Sequence, residues 1–250
     1  MFRPQLIALS LAAGLGLTPA SAFDFGAMTP AEQQAFGDSV RAYLLDNPEV
    51  LLEAMDVLEG RQAEAQAAAD ESLVAANATD IFEDDHSFVT GNPDGDVTLV
   101  EFIDYRCSFC RRAHPEVSEL VSSDGSIRKI IKEFPILGPE SLEASRFAIS
   151  VLQTAGDEAY GKMNDILIAH RGAFTRDALA RLATDQGLDA GPIIAAMDSD
   201  SVTNVIAANH ALAQALNITG TPTFVVGNQM LRGYVPLDGM REVVKDVRAE

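Results

Sequence analysis

The sequence predicts an α/β fold that carries a long helical insertion and follows an all-helical arm. Three observations lead there. Residues 97–105, VTLVEFIDY, are apolar enough for a strand buried on both faces. A helical pattern follows, and residues 127–134, IRKIIKEF, read as another strand; strand–helix–strand implies a parallel pair with a right-handed crossover. After a block of helical patterns over residues 139–217, strand signals return at residues 223–226 and a last helix follows.

The chain opens on a processing signal. Arg3 precedes the apolar run LIALSLAAGLGL, and Ala20-Ser21-Ala22 has the small-x-small form of a cleavage site. The run is about 12 residues, too short for a membrane span, so residues 1–22 are read as an export leader and the mature chain as beginning at Phe23. No cysteine near the cleavage site offers lipid attachment, and no later segment reads as a span. The formal charge is −19, and loss of Arg3 makes it −20. Such a chain repels nucleic acid and anionic membrane surfaces.

Residues 23–78 form the arm. Thr29-Pro30-Ala31-Glu32 has the arrangement of a capping box with proline at the first helical position. Phe36, Val40 and Tyr43/Leu44 follow at helical spacing, and Asn47-Pro48 breaks the helix. Leu51, Met55 and Leu58 begin a second stripe with heptad-like spacing. The alanine-rich run after Gly60 has high helix propensity and little to bury. An arm like this packs on its own domain or on a copy of itself. Its sequence distance from the cysteines favours self-association.

The main domain, residues 79–250, starts with a short strand near residues 87–89 and a turn at Gly91-Asn92-Pro93-Asp94-Gly95. The buried strand comes next, then a helix to about Val121, interrupted by Pro115, which should bend it. In the insertion, Phe147, Met163, Leu179 and Val205 each sit on one of four helical stripes, the third capped by Thr175. Asn228 turns residues 223–226 into a hairpin with residues 231–234, and residues 237–248 form the closing helix.

Cys107 and Cys110 are the only two cysteines of 250 residues, and they stand in DYRCSFCRRAHP. A bridge between them closes almost no loop, so it adds little stability. Zinc wants four ligands, and Cys107, Cys110 and His114 supply three; copper(I) needs only the two thiolates. A Cys-x-x-Cys that opens a helix after a strand has a redox logic. The first sulfur faces the helix N-terminus, which favours thiolate, and the second lies about one turn away to resolve a mixed disulfide. Glu101, in the strand with the parity of Leu99 and Ile103, needs a reason to be there. It is either an edge carboxylate reaching solvent or an acid that handles protons for Cys110. Thr221-Pro222 enters a strand where proline cannot join a ladder, which a cis peptide at a tight turn explains.

Taken together, EFIDYRCSFC, the helical insertion and GTPTFVVGNQ resemble a thioredoxin fold with a DsbA-like helical insertion, over residues 79–250. The arm, with RAYLLDNPEVLLEAM, is similar to that of the suppressor-of-copper-sensitivity C (ScsC) proteins, exported DsbA-like thiol–disulfide enzymes in which the arm can drive oligomerisation. The resemblance implies Cys107 as nucleophile, Cys110 as resolving thiol, Glu101 as the buried acid, and Thr221-Pro222 as the loop that pairs with substrate beside Ser108 and Phe109. It implies a periplasmic disulfide isomerase or reductase with no cofactor beyond its redox-active disulfide. Its partners would be misfolded exported proteins with cysteines, a membrane redox partner that resets the disulfide, and copies of itself. A monomeric dithiol oxidase and a copper(I)-tolerance protein, with Cys107 and Cys110 as ligands, are the alternatives. Ser-Phe between the cysteines departs from the Pro-His of DsbA and removes one thiolate stabiliser, and threonine before the proline is closer to the isomerase pattern.

Overall fold

The computed structural model describes residues 28–249; the expected leader lies outside them. The chain divides into two compact units between Glu59 and Gly60.

In the first unit, α1 (Pro30–Asp46) opens on the expected capping box. Glu32 N donates to Thr29 Oγ1 at 3.4 Å, and Thr29 N to Glu32 Oε2 at 2.8 Å. Asn47-Pro48 ends it, and α2 (Glu49–Ala76) starts directly after. α1 buries no residue. Val40, Tyr43, Leu51, Met55 and Leu58 are all more than 40% exposed.

The second unit takes in the later half of α2, ahead of the boundary expected at residues 78/79. Two contacts explain this. Val74 joins a core with Ile81 of α3 (Ala78–Phe82), and Asp70 Oδ1 sits 2.7 Å from Arg232 Nη2. The alanine-rich composition of this stretch hid both.

Five strands form the sheet, in the order β1-β3-β2-β4-β5. They are β1 (Phe88–Gly91), β2 (Val97–Ile103), β3 (Ile127–Glu133), β4 (Thr223–Val226) and β5 (Gln229–Arg232). β2 and β3 are parallel, as strand–helix–strand requires; the other pairs are antiparallel. β2 is central, with β3 and β4 on its edges, which is why its sequence is apolar on both parities. Leu99 and Val97 face α4 (Ser108–Asp124) and α10 (Leu237–Val247); Val100 and Phe102 face the opposite core with Val74 and Ile81. β5 begins two residues before its expected position. The hairpin turns at Gly227-Asn228, where Gly227 has φ +57° and a Cβ would lie 2.5 Å from Val247 Cγ1.

The insertion holds five helices rather than four: α5 (Pro139–Ala155), α6 (Asp157–Ala169), α7 (Arg176–Asp185), α8 (Ala190–Ala196) and α9 (Asp200–Ala215). The extra one, α8, is seven residues long, too short to show a stripe. Asp189 caps it from Oδ1, and Ile193 anchors it in the core.

Candidate active site

The cysteine motif sits where β2 hands the chain to α4. Asp104, fully buried, builds the corner. Its Oδ1 accepts from Arg106 N at 2.8 Å, and its Oδ2 accepts from Ile136 N and Leu137 N at 2.8 and 2.9 Å. Its carbonyl accepts from Cys107 N at 3.0 Å. A carboxylate with three amide donors is well compensated for burial, so the loop that presents Cys107 is tied to the loop after β3.

Cys107 is the N-cap residue of α4, and Cys110 lies one turn in. Both are free thiols here, and both are buried. Cys107 is drawn down to about 5. The largest cause is the Cys110 thiol, which donates to the Cys107 sulfur; burial opposes it, and Thr221 and the amides of Cys110 and Phe109 add to it. Cys107 makes no side-chain cap bond, so the amides act on it as the pull of the helix N-terminus. Cys110 moves the other way, far above the usual thiol range, because it donates to Cys107 and because it is buried. One sulfur is therefore a thiolate near neutral pH while its neighbour keeps its proton.

From the far end of the chain, Thr221-Pro222 closes the site. Their peptide bond is cis, as the sequence predicts. Thr221 O lies 3.1 Å from Cys107 Sγ, an acceptor for the thiol. Thr221 Oγ1 is buried without a partner while the thiol donates to that carbonyl, and it is the donor that remains for the sulfur once Cys107 ionises. Ser108 and Phe109 stand exposed at the mouth, Phe109 at 55%.

Glu101 is not an edge carboxylate. It lies on the central strand at 1% exposure and pairs with Lys129 of β3, Nζ to Oε2 2.7 Å. Its charge raises Cys110 further, which couples the acid to the sulfur whose proton must leave. Lys129 escaped sequence reasoning. The parity argument that singled out Glu101 applies to it, because Lys129 alternates with Ile127 and Ile131 on the same face.

Tyr105 extends the site into the insertion. Its hydroxyl donates to Glu133 Oε1 at 2.7 Å and accepts from Asn164 Nδ2 at 3.0 Å. Tyr160 and Ser145 also donate to Glu133, at 2.6 and 2.7 Å. Burial pushes Glu133 up to about 7 against these donors. His114 is not drawn to the sulfurs; its Nε2 meets Asp165 Oδ1 at 2.8 Å. Among the described residues no group of three or more His, Cys, Asp or Glu is placed to hold a metal ion. No helix among them is long and apolar enough to cross a membrane.

Comparison with known proteins agrees with this geometry. A family model described as Thioredoxin matches residues 83–246, and one described as Copper resistance protein ScsC N-terminal domain matches residues 32–65. A thioredoxin-like oxidoreductase from Silicibacter pomeroyi DSS-3 is 37% identical, with TM-score 0.66, over 70% of this chain and 99% of its own. The thiol-disulfide exchange protein alpha-DsbA2 from Wolbachia pipientis is 25% identical, with TM-score 0.68, over 73% of this chain and 98% of its own. ScsC from Proteus mirabilis, in a transitional conformation, is 25% identical, with TM-score 0.65, over 90% of this chain and 98% of its own. The chain spans about a quarter of the length of the first curated relatives it matches. With the Na(+)/H(+) antiporter NhaA 1 of Salinispora arenicola it is 27% identical over 161 residues, 64% of this chain and 24% of that one. With most of its length matched, and with its two sulfurs at the start of the helix that follows the central strand, the chain belongs to the thioredoxin family, among its DsbA- and ScsC-like members.

Proposed function

We propose that the chain is an exported protein thiol–disulfide oxidoreductase, working as an isomerase or reductase on cysteine-containing proteins of the periplasm. The opposed acidities of Cys107 and Cys110 carry this reading. The Cys107 thiolate attacks one sulfur of a substrate disulfide. A Cys107–substrate bond forms, the substrate S–S bond breaks, and the displaced sulfur leaves as thiolate. Cys110 gives up its proton, in the field of the buried Glu101, and attacks Cys107. That step frees the substrate thiol and leaves the Cys107–Cys110 disulfide, two electrons having passed to the substrate. Isomerisation results instead when the displaced substrate thiolate, or another one, attacks the mixed disulfide. The redox-active disulfide is the only cofactor in this scheme, and a membrane partner resets it.

Self-association through the arm supports the isomerase direction. Its apolar residues 40, 43, 51, 55 and 58 are exposed, and several active sites in one assembly suit the repeated attack that reshuffling needs. A second reading, a monomeric dithiol oxidase, has its own support: a strongly stabilised Cys107 thiolate stabilises the reduced protein and makes its disulfide more oxidising. Copper(I) held by the two thiolates is a third.

The solution mass of residues 23–250 and of a chain lacking residues 23–78, measured beside refolding of a scrambled disulfide substrate, separates the first two. A monomeric full chain that oxidises dithiols and reshuffles nothing would overturn the isomerase reading. Cys110→Ser tests the exchange chemistry: it should trap substrate proteins on Cys107, and failure to trap any, with copper(I) bound by the wild type and lost from the variant, would favour the metal role.

A further inference from the structure

We infer that Arg106, Arg111 and Arg171 form an anion subsite beside Cys107, which receives carboxylate side chains flanking the reactive cysteine of a polypeptide substrate. This rests on the exchange function proposed above and adds the substrate class to it.

The three arginines converge on the end of α6 and the start of the loop that leads to α7, residues 168–172. Arg111 Nε donates to Ile168 O at 2.8 Å, and its Nη2 to His170 O at 3.2 Å. Arg106 Nη1 donates to Gly172 O at 3.1 Å, and Arg171 stands exposed in the loop itself. Carbonyl oxygens orient these guanidinium groups without neutralising them. Among the described residues one carboxylate meets the cluster: Glu140 Oε2 lies 3.2 Å from Arg106 Nε. Among the same residues Arg111 and Arg171 pair with none, and Arg111 Nη1 makes no hydrogen bond.

That is an unusual arrangement in a chain with 37 Asp and Glu against 18 Lys and Arg. Half-buried Arg111 is lowered by desolvation and then by repulsion from Arg171 and Arg106. Like charges held together with one carboxylate among the three are relieved when a further anion arrives. Arg111 also interacts with the charge of Cys107, one turn before it in α4, so the cluster borders the reacting sulfur. Elsewhere the molecule is strongly anionic and repels acidic chains, so this island orients them towards Cys107. A polypeptide fits better than a small anionic thiol. Phe109 is exposed at the same mouth and Thr221 borders the sulfur from the other wall, surfaces suited to a chain that runs past Cys107.

The test uses the reduced full-length protein and two peptide disulfides of equal length, one with Asp on both sides of its cysteine and one with Asn. The acidic peptide should react about tenfold faster, and added salt should shrink the advantage. Arg106→Gln with Arg171→Gln, both at exposed positions, should cut it to about twofold. Arg176→Gln removes the same kind of charge from an arginine already paired with Glu143 and Asp198, and should preserve the advantage. Equal rates with both peptides in the wild type would overturn the subsite and leave exchange standing. No reaction with either would overturn the exchange function itself. A preference that survives the double variant would overturn the assignment to these arginines. Oxidised glutathione forms a further arm: a rate that depends on the arginines there, with no preference between the peptides, would overturn the polypeptide assignment in favour of a small anionic thiol.

Discussion

β3 carries buried charge on both of its faces, and the two faces treat it differently. On one, Lys132 is fully buried against Asp84, and its Nζ also donates to Asp80 O at 2.8 Å. Asp84 is further held by the amides of His86 and Ser87, at 2.9 and 2.7 Å, and stays below the usual carboxylate range: burial opposes this, but Lys132 outweighs it. On the other face, Lys129 meets Glu101 beneath Cys110, while Glu133 has hydroxyl donors and no cation. The first face spends its charges on fastening a loop. The second keeps a carboxyl group with a raised pKa and an ion pair close to the sulfurs, where a change of charge has chemical consequences.

The contrast can be broken by removing either lysine. Lys132→Met strands a buried carboxylate and should cost about 3–5 kcal/mol in urea unfolding. The thiolate titration of Cys107, followed by ultraviolet absorbance, should stay in place. Loss of the titration with no loss of stability would reverse the roles assigned to the two faces.

Glu133 gives the next largest effect. Its carboxyl is near 4.5 in the unfolded chain and about 7 when folded. Below 4.5 it is neutral in both states and its contribution to stability is fully present. As pH rises from 4.5 to 7 the carboxyl ionises in the unfolded chain while the buried one still holds its proton, and stability falls by about 3 kcal/mol. Glu133→Gln should flatten that slope in denaturant midpoints measured across the window.

Lys129→Met should act on chemistry as well as stability. It leaves the Glu101 charge beneath Cys110 without its counter-ion, which disfavours the Cys110 thiolate. The resolving step should slow about tenfold, seen as a longer-lived mixed disulfide in rapid-quench experiments, while the attack by Cys107 changes less. Thr221→Val removes a hydroxyl from the Cys107 sulfur and should raise its pKa from about 5 by about one unit. The smallest effect should come from Lys162→Gln, whose pair with Glu158 is exposed; unfolding should move by less than about 0.5 kcal/mol.

The order of the fold was legible because each part wrote its own local pattern. β2 is apolar on both parities, Thr29 and Thr175 announce their helices, and Pro222 marks a place no ladder could hold. The two sulfurs and Thr221-Pro222 were legible for the same reason. α8 was not, because seven residues hold less than two turns of periodicity. Nor was the start of the second unit, because one valine and one aspartate in an alanine-rich helix give no sign of the strand they meet. Lys129, Asp104 and Glu133 escaped for a different reason. Each is an ordinary charged residue in sequence, and each meets at least one partner 28 or more residues away. The arginine cluster is harder still, since it depends on backbone carbonyls near residue 170.

Thr221 follows Cys107 by 114 residues. A growing chain therefore displays both cysteines well before it has made the residue that completes their surroundings. Until the last hairpin docks, Cys107 lacks one wall and keeps more of the acidity of an ordinary thiol. Alkylation at mildly acidic pH, where a strongly acidic thiol reacts fastest, would then label finished molecules faster than unfinished ones. The sulfur serves as a built-in gauge of whether its own chain has folded to the end.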